Sequence, residues 1–168
     1  MTTSPNWPPD PCDAVALVRA YTRILDWQFA AGGVPLTGEE AVLAAGRCPD
    51  AELLTSCAAF DAVTVACDLG VRAGYFLARC GVEIPSFHTG RQSSTFLVRP
   101  GAGAMLSGVP AVEVASGEGG WLALPPAAGR RWSAPPWSTA GPAPAALLDA
   151  APLRGALATA ARVLGHGA

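Results

Sequence analysis

Lysine is missing from this chain: all eleven basic residues are arginine, set against thirteen acids for a net charge of −2 at neutral pH. So few cations exclude a tight, nonspecific grip on a phosphate backbone, because that affinity grows with the number of phosphates neutralised. Arginine-only usage with abundant alanine and glycine reads as the codon bias of a GC-rich bacterial genome rather than as chemistry. No run of about 18 or more apolar residues is free of charges or of Gly/Pro breaks, so no bilayer-spanning helix is expected. The opening MTTSPNWPPDPCD has no basic stretch followed by an apolar one, which makes a cytoplasmic protein the expectation. Cys12, Cys48, Cys57, Cys67 and Cys80 form no C-x-x-C pair and are odd in number, a poor pattern for zinc or a disulfide framework. They are expected as reduced, small buried residues. The P-loop, H-E-x-x-H and G-x-S-x-G patterns are also missing, which removes the ready-made phosphate cradle, zinc protease and nucleophile elbow.

At 168 residues the chain suits a single domain with a real core, residues 10–137 forming its main part and 144–165 a closing helix. A helix is expected over 10–25, with Asp10 as N-cap, Pro11 at the first helical position and Ala14, Leu17, Val18, Tyr21 and Leu25 as its apolar stripe. An extended piece around Trp27 to Ala30 leads to the turn Gly32-Gly33. Thr37-Gly38-Glu39-Glu40 reads as a capping box starting a helix to about Ala45. FDAVTVA over 60–66 reads as a buried strand, followed by a helix that Asp68 caps and Gly81 stops. Thr95 to Arg99 is the next strand. Ala111 to Ala115 and Gly120 to Leu124 read as a hairpin turning at 116–119. From Pro125-Pro126 to Pro144 an irregular, ordered surface segment is expected. A last helix follows, with Leu153, Leu157, Ala160, Ala161 and Leu164 on its apolar face. The sum is an α+β domain: a central, mostly antiparallel sheet with helices packed on it.

Charge is uneven along this order: residues 1–84 hold five arginines against ten acids, whereas 85–142 hold four against two. The middle of the chain is therefore its mildly basic part.

The succession FDAVTVACDLG, helix, HTGRQSSTFLVRPG, then VPAVEVASGEGGWLALPP resembles the bifunctional DNA primase/polymerase N-terminal domain of the archaeo-eukaryotic primase superfamily. The likeness runs over roughly residues 14–137, and the opening ILDWQFAAGGVPLT shares it. The resemblance implies a primase/polymerase-like fold in which an acidic pair on the first motif's strand and a later acid hold two metal ions. A histidine after the Thr-Gly turn contacts phosphate. Carried over residue by residue, the acidic pair falls on Thr64 and Ala66, the histidine on Thr95, and the later acid on Glu113.

Two of those positions cannot supply a carboxylate, and in-line phosphoryl transfer needs hard cations that want carboxylate oxygens. Asp61 has the opposite strand parity to Thr64, and Asp68 reads as a helix cap. No metal and no cofactor are therefore expected. Mg²⁺ or Mn²⁺ would enter only if the first motif lay elsewhere, and Glu113 is the one weak catalytic candidate.

What the resemblance leaves is a ligand-binding set of Thr64, Arg91, Ser93, Thr95, Arg99 and Glu113, with Arg130 and Arg131 near it. Arginine's planar fork suits phosphate or carboxylate; surface pairing of these arginines with Glu113 and Glu118 is the plain alternative. The expectation is a degenerate primase/polymerase-like protein that binds nucleotide or single-stranded nucleic acid without polymerising it. Two other readings stand beside it. One is a small-metabolite enzyme or binder reusing the cleft. The other is a protein-interaction module whose partner meets Trp121, Trp132 and Trp137, although packing under the proline-rich segment is the default for such side chains. His88 is expected exposed on a loop and away from the site.

Overall fold

The computed structural model describes residues 7–48 and 52–165, so the first six residues of the opening segment lie outside the described part. The first helix, α1, runs Ala14–Ala20. Its start lies later than the sequence suggests because Asp10 is spent on a turn, its carboxylate accepting from the Cys12 amide and its carbonyl from the Asp13 amide. Asp13 then takes over the cap, receiving the Val15 and Ala16 amides at 2.9 and 3.2 Å. Leu17, Val18 and Tyr21 are buried as the stripe requires, and the helix widens into a π-helical turn over Tyr21–Leu25.

Strands β1 (Phe29–Ala31) and β2 (Val34–Leu36) form a hairpin across Gly32-Gly33. Both glycines have positive φ, 56° and 79°, the geometry a two-residue hairpin demands. Helix α2 spans Glu39–Arg47. The expected capping box does not form: Gly38 holds the N-cap position with no side-chain bond. Glu39 at the first helical position pairs with Arg19 of α1 at 3.7 Å and with Arg23 of the π-helical turn at 2.8 Å. The Arg23 hydrogen bond holds the Glu39 carboxyl below its ordinary range.

β3 runs Leu54–Ala66, starting six residues before the expected strand. It leads directly into α3, Cys67–Arg79, where Asp68 sits in the first turn rather than at the cap and accepts from the Leu69 amide at 2.8 Å. Gly81, at φ 68°, closes α3 with amide bonds from Gly81 to Ala78 and from Val82 to Leu77, a Schellman ending. β4 (Ser86–Thr89) and β5 (Ser93–Val98) form a hairpin whose first strand the sequence reading passed over as loop.

The expected hairpin over 111–124 is a single strand, β6 (Val112–Ala123), and both of its halves pair with β3, from Val65↔Val112 to Leu54↔Ala123. Gly117 has φ 70° and a Cβ on Gly120 would lie 2.8 Å from the Ser116 carbonyl oxygen, so the chain kinks sharply and then resumes its course along the same partner. The proline-rich segment is not irregular throughout either. Arg130–Ala134 forms β7 on the free edge of β4. Helix α4 spans Ala151–Gly165. It buries Leu153, Leu157 and Ala160 as expected but takes Ala156 inward and leaves Ala161 exposed.

The strands make one seven-stranded sheet in the order β2-β1-β3-β5-β4-β7, with β6 also on β3, and every pairing is antiparallel. The single α+β domain with helices on an antiparallel sheet is thus as the sequence indicated. One face carries Val63, Val65, Phe96 and Val98 beneath α3 and α4. The other splits into a patch around Phe60, Ala62 and Leu97 and an aromatic cluster around Tyr21, Phe29, Phe87 and Trp137 under α1. No helix among the described residues is long and apolar enough to cross a membrane.

Candidate functional site

Directly opposed residues in an antiparallel ladder point to the same face, about 4.5–5.5 Å apart. Thr95 opposes Thr64, and Thr64 opposes Glu113 on its other side, which sets these three side chains in one row across β5, β3 and β6. The Thr64 and Thr95 hydroxyls share a hydrogen bond of 3.0 Å. Thr95 is buried, Thr64 half-buried and Glu113 exposed, so the row climbs from the core to solvent. The next row comprises Arg130, Thr89, Ser93 and Ala66, opposed in turn across β7, β4, β5 and β3. Together the rows make a shelf of hydroxyls with one carboxylate at one end and one guanidinium at the other. Arg130 is tied to Glu52 at 3.1 Å.

Of the six residues expected to bind a ligand, Thr64, Ser93, Thr95 and Glu113 share this shelf, and Arg91 stands exposed on the β4–β5 turn beside it. Arg99 does not join them. It lies past the far end of β5, where its guanidinium binds Asp149 at 2.6 Å and its amide donates to the Leu148 carbonyl. At ~3.3 Å per residue that puts it ~13 Å along the strand from Thr95. Arg131 opposes His88 on the other face, so of the two neighbouring arginines only Arg130 reaches the shelf. Thr89 and Glu52 were missed by the sequence reading; the alternation in Ser-Phe-His-Thr before Gly90 was the available signal for the first.

Asp61 is settled by packing. It faces the α3/α4 side, fully buried, and accepts the Gly103 amide at 2.8 Å, anchoring a 3₁₀ turn over Ala102–Leu106. It therefore stands across the sheet from Thr64 and Glu113. Among the described residues no group of three or more His, Cys, Asp and Glu converges to hold a metal ion. The cysteines are more exposed than expected: Cys12, Cys48 and Cys80 are open to solvent, and of the five only Cys57 is buried, its thiol pushed up to about 11 by burial and by the nearby Asp61.

Two of the three tryptophans face inward. Trp132 Nε1 donates to the Tyr21 hydroxyl at 2.7 Å, and Trp137 is buried among Trp7, Tyr21 and Trp132. Trp121 alone is well exposed, at 41% on β6, so the three do not share a surface for a partner.

His88 is not on a loop. It lies in β4 on the α3/α4 side, half-buried, its Nδ1 2.8 Å from the Ser94 hydroxyl. Burial lowers its pKa from the ordinary 6.5. A depressed folded-state value means that the unfolded chain takes up the proton first, so this contribution to stability is full above about pH 6.5 and is lost as pH falls towards the folded value. Urea midpoints at about pH 7.5 and about pH 5.5 are expected to differ more for the natural protein than for His88→Gln; equal losses in both would assign the slope to other groups.

Fold and shelf together define an antiparallel-sheet α+β domain with a polar, hydroxyl-rich platform on the face opposite α3 and α4. No protein-family model, curated protein or solved structure matches the chain.

Proposed function

We propose that this is a primase/polymerase-like domain that binds a nucleotide or the phosphates of single-stranded nucleic acid on the shelf and does not polymerise. The observation that carries the reading is the row Thr95, Thr64, Glu113. These are the positions to which the resemblance assigns the phosphate-contacting histidine, one of the paired acids and the later acid. Their meeting in one row on one face is what that assignment requires. With threonine and alanine at the paired positions, the row offers one carboxylate. One carboxylate is a weak match for cations that must neutralise both the attacking and the leaving oxygen.

The hydroxyls of Thr64, Thr89 and Ser93 can donate to phosphate oxygens, with the buried Thr95 hydroxyl bonded to Thr64 behind them, and Arg91 adds a guanidinium at the turn. With so few cations, binding is weak and salt-sensitive. Fluorescence anisotropy at low salt with single-stranded DNA, RNA and nucleoside triphosphates tests this. Binding is expected to weaken about threefold to tenfold in Arg91→Ala, since one charge-assisted contact is worth roughly a kcal/mol. A flat titration with all three ligands sinks the reading. Primer extension with Mg²⁺ or Mn²⁺ is expected to give no product, and incorporation abolished by Glu113→Ala would overturn the claim that polymerisation is lost.

A further inference from the structure

On the other side of the sheet a groove of about 300 Å³ lies between α3 and the β4–β7 edge. Its roof is α3 from Gly70 to Ala78, and its floor includes Ser86, His88 and Phe96. Gly74 lines it with room to spare: a Cβ there would meet nothing within 4 Å. At ~30 Å³ per water molecule the space equals ~10 waters, the bulk of a small ring compound with a short substituent.

The polar side chains that line this groove are Glu83, Ser86, His88 and Ser133. The Ser94 hydroxyl lies 2.8 Å from His88 Nδ1, so that ring nitrogen is engaged and Nε2 is the one free to meet a ligand. A neutral imidazole with its proton on Nδ1 presents Nε2 as an acceptor. Ser86 is only 8% exposed, lines the groove, and its hydroxyl has no hydrogen-bond partner among the described residues. Trp137 Nε1 is the one sealed and unpaired side-chain atom among those residues, so the Ser86 oxygen is open to the groove. Glu83 stands exposed at the rim, without an ion-pair partner among the described residues. No arginine lines the groove.

We propose that this groove binds a small organic cation, an amine or amidine on an apolar body. Leu77, Ile84 and Phe96 enclose the body, Glu83 meets the charge, and His88 Nε2 and the Ser86 hydroxyl accept its N–H groups. Arg131 stands opposite His88 on β7, exposed to solvent, and does not line the groove. The site is independent of the shelf, which lies on the opposite face of the sheet.

Calorimetric or NMR titration of the full chain with benzamidine and phenethylamine, beside benzyl alcohol and benzoate, tests the assignment. At least one of the two cations is expected to bind about tenfold or more tightly than benzyl alcohol, and benzoate is expected not to bind. Glu83→Gln, a rim substitution that leaves packing alone, is expected to remove most of that preference. Gly74→Leu fills the groove and is expected to abolish binding while circular dichroism stays unchanged. Equal binding of all four probes, no binding of either cation, or full cation binding by a folded Gly74→Leu would each overturn the proposal. Should Gly74→Leu misfold, Glu83→Gln decides by itself, and an unchanged preference in that variant would overturn the proposal too.

Discussion

Tyr21→Phe is expected to destabilise the fold by about 2–6 kcal/mol, because it leaves two polar groups without their partner at about 1–3 kcal/mol each. The Tyr21 hydroxyl donates to the Pro125 carbonyl at 2.7 Å and accepts from Trp132 Nε1 at 2.7 Å. The residue is fully buried, and burial raises the phenol's pKa well above its ordinary value, so it stays a donor at any pH at which the protein is folded. Phenylalanine keeps the ring and its packing against Trp27, Phe29, Trp132 and Trp137, which removes a cavity from the comparison. The loss would measure how strongly α1 fastens the segment after Pro125, and with it β7 and the Arg130 end of the shelf. Urea denaturation followed by tryptophan fluorescence reads it. A change under about 0.5 kcal/mol would mean that water replaces the phenol at no cost and that the segment is held by apolar packing alone.

The second large effect is a contrast between two glycines one helical turn apart. Gly70→Ala drives a methyl into the Cβ and hydroxyl of Ser94, well inside van der Waals contact. Ser94 is completely buried on β5 and cannot swing away, so α3 must lift from the sheet, at a cost of about 1–3 kcal/mol or more. Gly74→Ala meets no atom and replaces the most flexible residue in a helix interior with the best helix former, a gain of about 0.5–1 kcal/mol. Opposite signs in thermal or urea denaturation are therefore expected. Loss in both variants would mean that α3 sits closer to the β4–β7 edge than described and that the groove is closed.

Several elements could be read without coordinates because their determinants are local. Gly32-Gly33 admits positive φ at successive positions and so makes the β1–β2 turn; Gly81 ends α3 for the same reason. The stripes Leu17, Val18, Tyr21 and Leu153, Leu157, Ala160 turn inward as their spacing dictates. Errors came where two local signals compete and a distant contact chooses. Asp10 and Asp13 can both cap α1, and a turn at Asp10 decided for Asp13. Thr37 and Glu40 could have closed a capping box, but α2 starts one residue later, with Gly38 at the N-cap and Glu40 at the second helical position. The break at 116–119 looks like a hairpin turn until β3 is seen to be long enough to pair with both flanks.

The site divides in the same way. Strand parity is a property of the sequence, so the opposite facing of Asp61 and Thr64 was fixed before any fold was known. Lateral register is not, because hydrogen bonds between strands join residues tens of positions apart. The amino-acid order alone determined an α+β domain, its helical stripes and the want of a carboxylate at Thr64 and Ala66. Tertiary structure alone decided that Thr95, Thr64 and Glu113 stand in one row, that Arg99 is committed to Asp149, and that His88 looks into a groove beneath α3. Which strands become neighbours is settled by burying both faces of the sheet at once, and no short window of residues contains that condition.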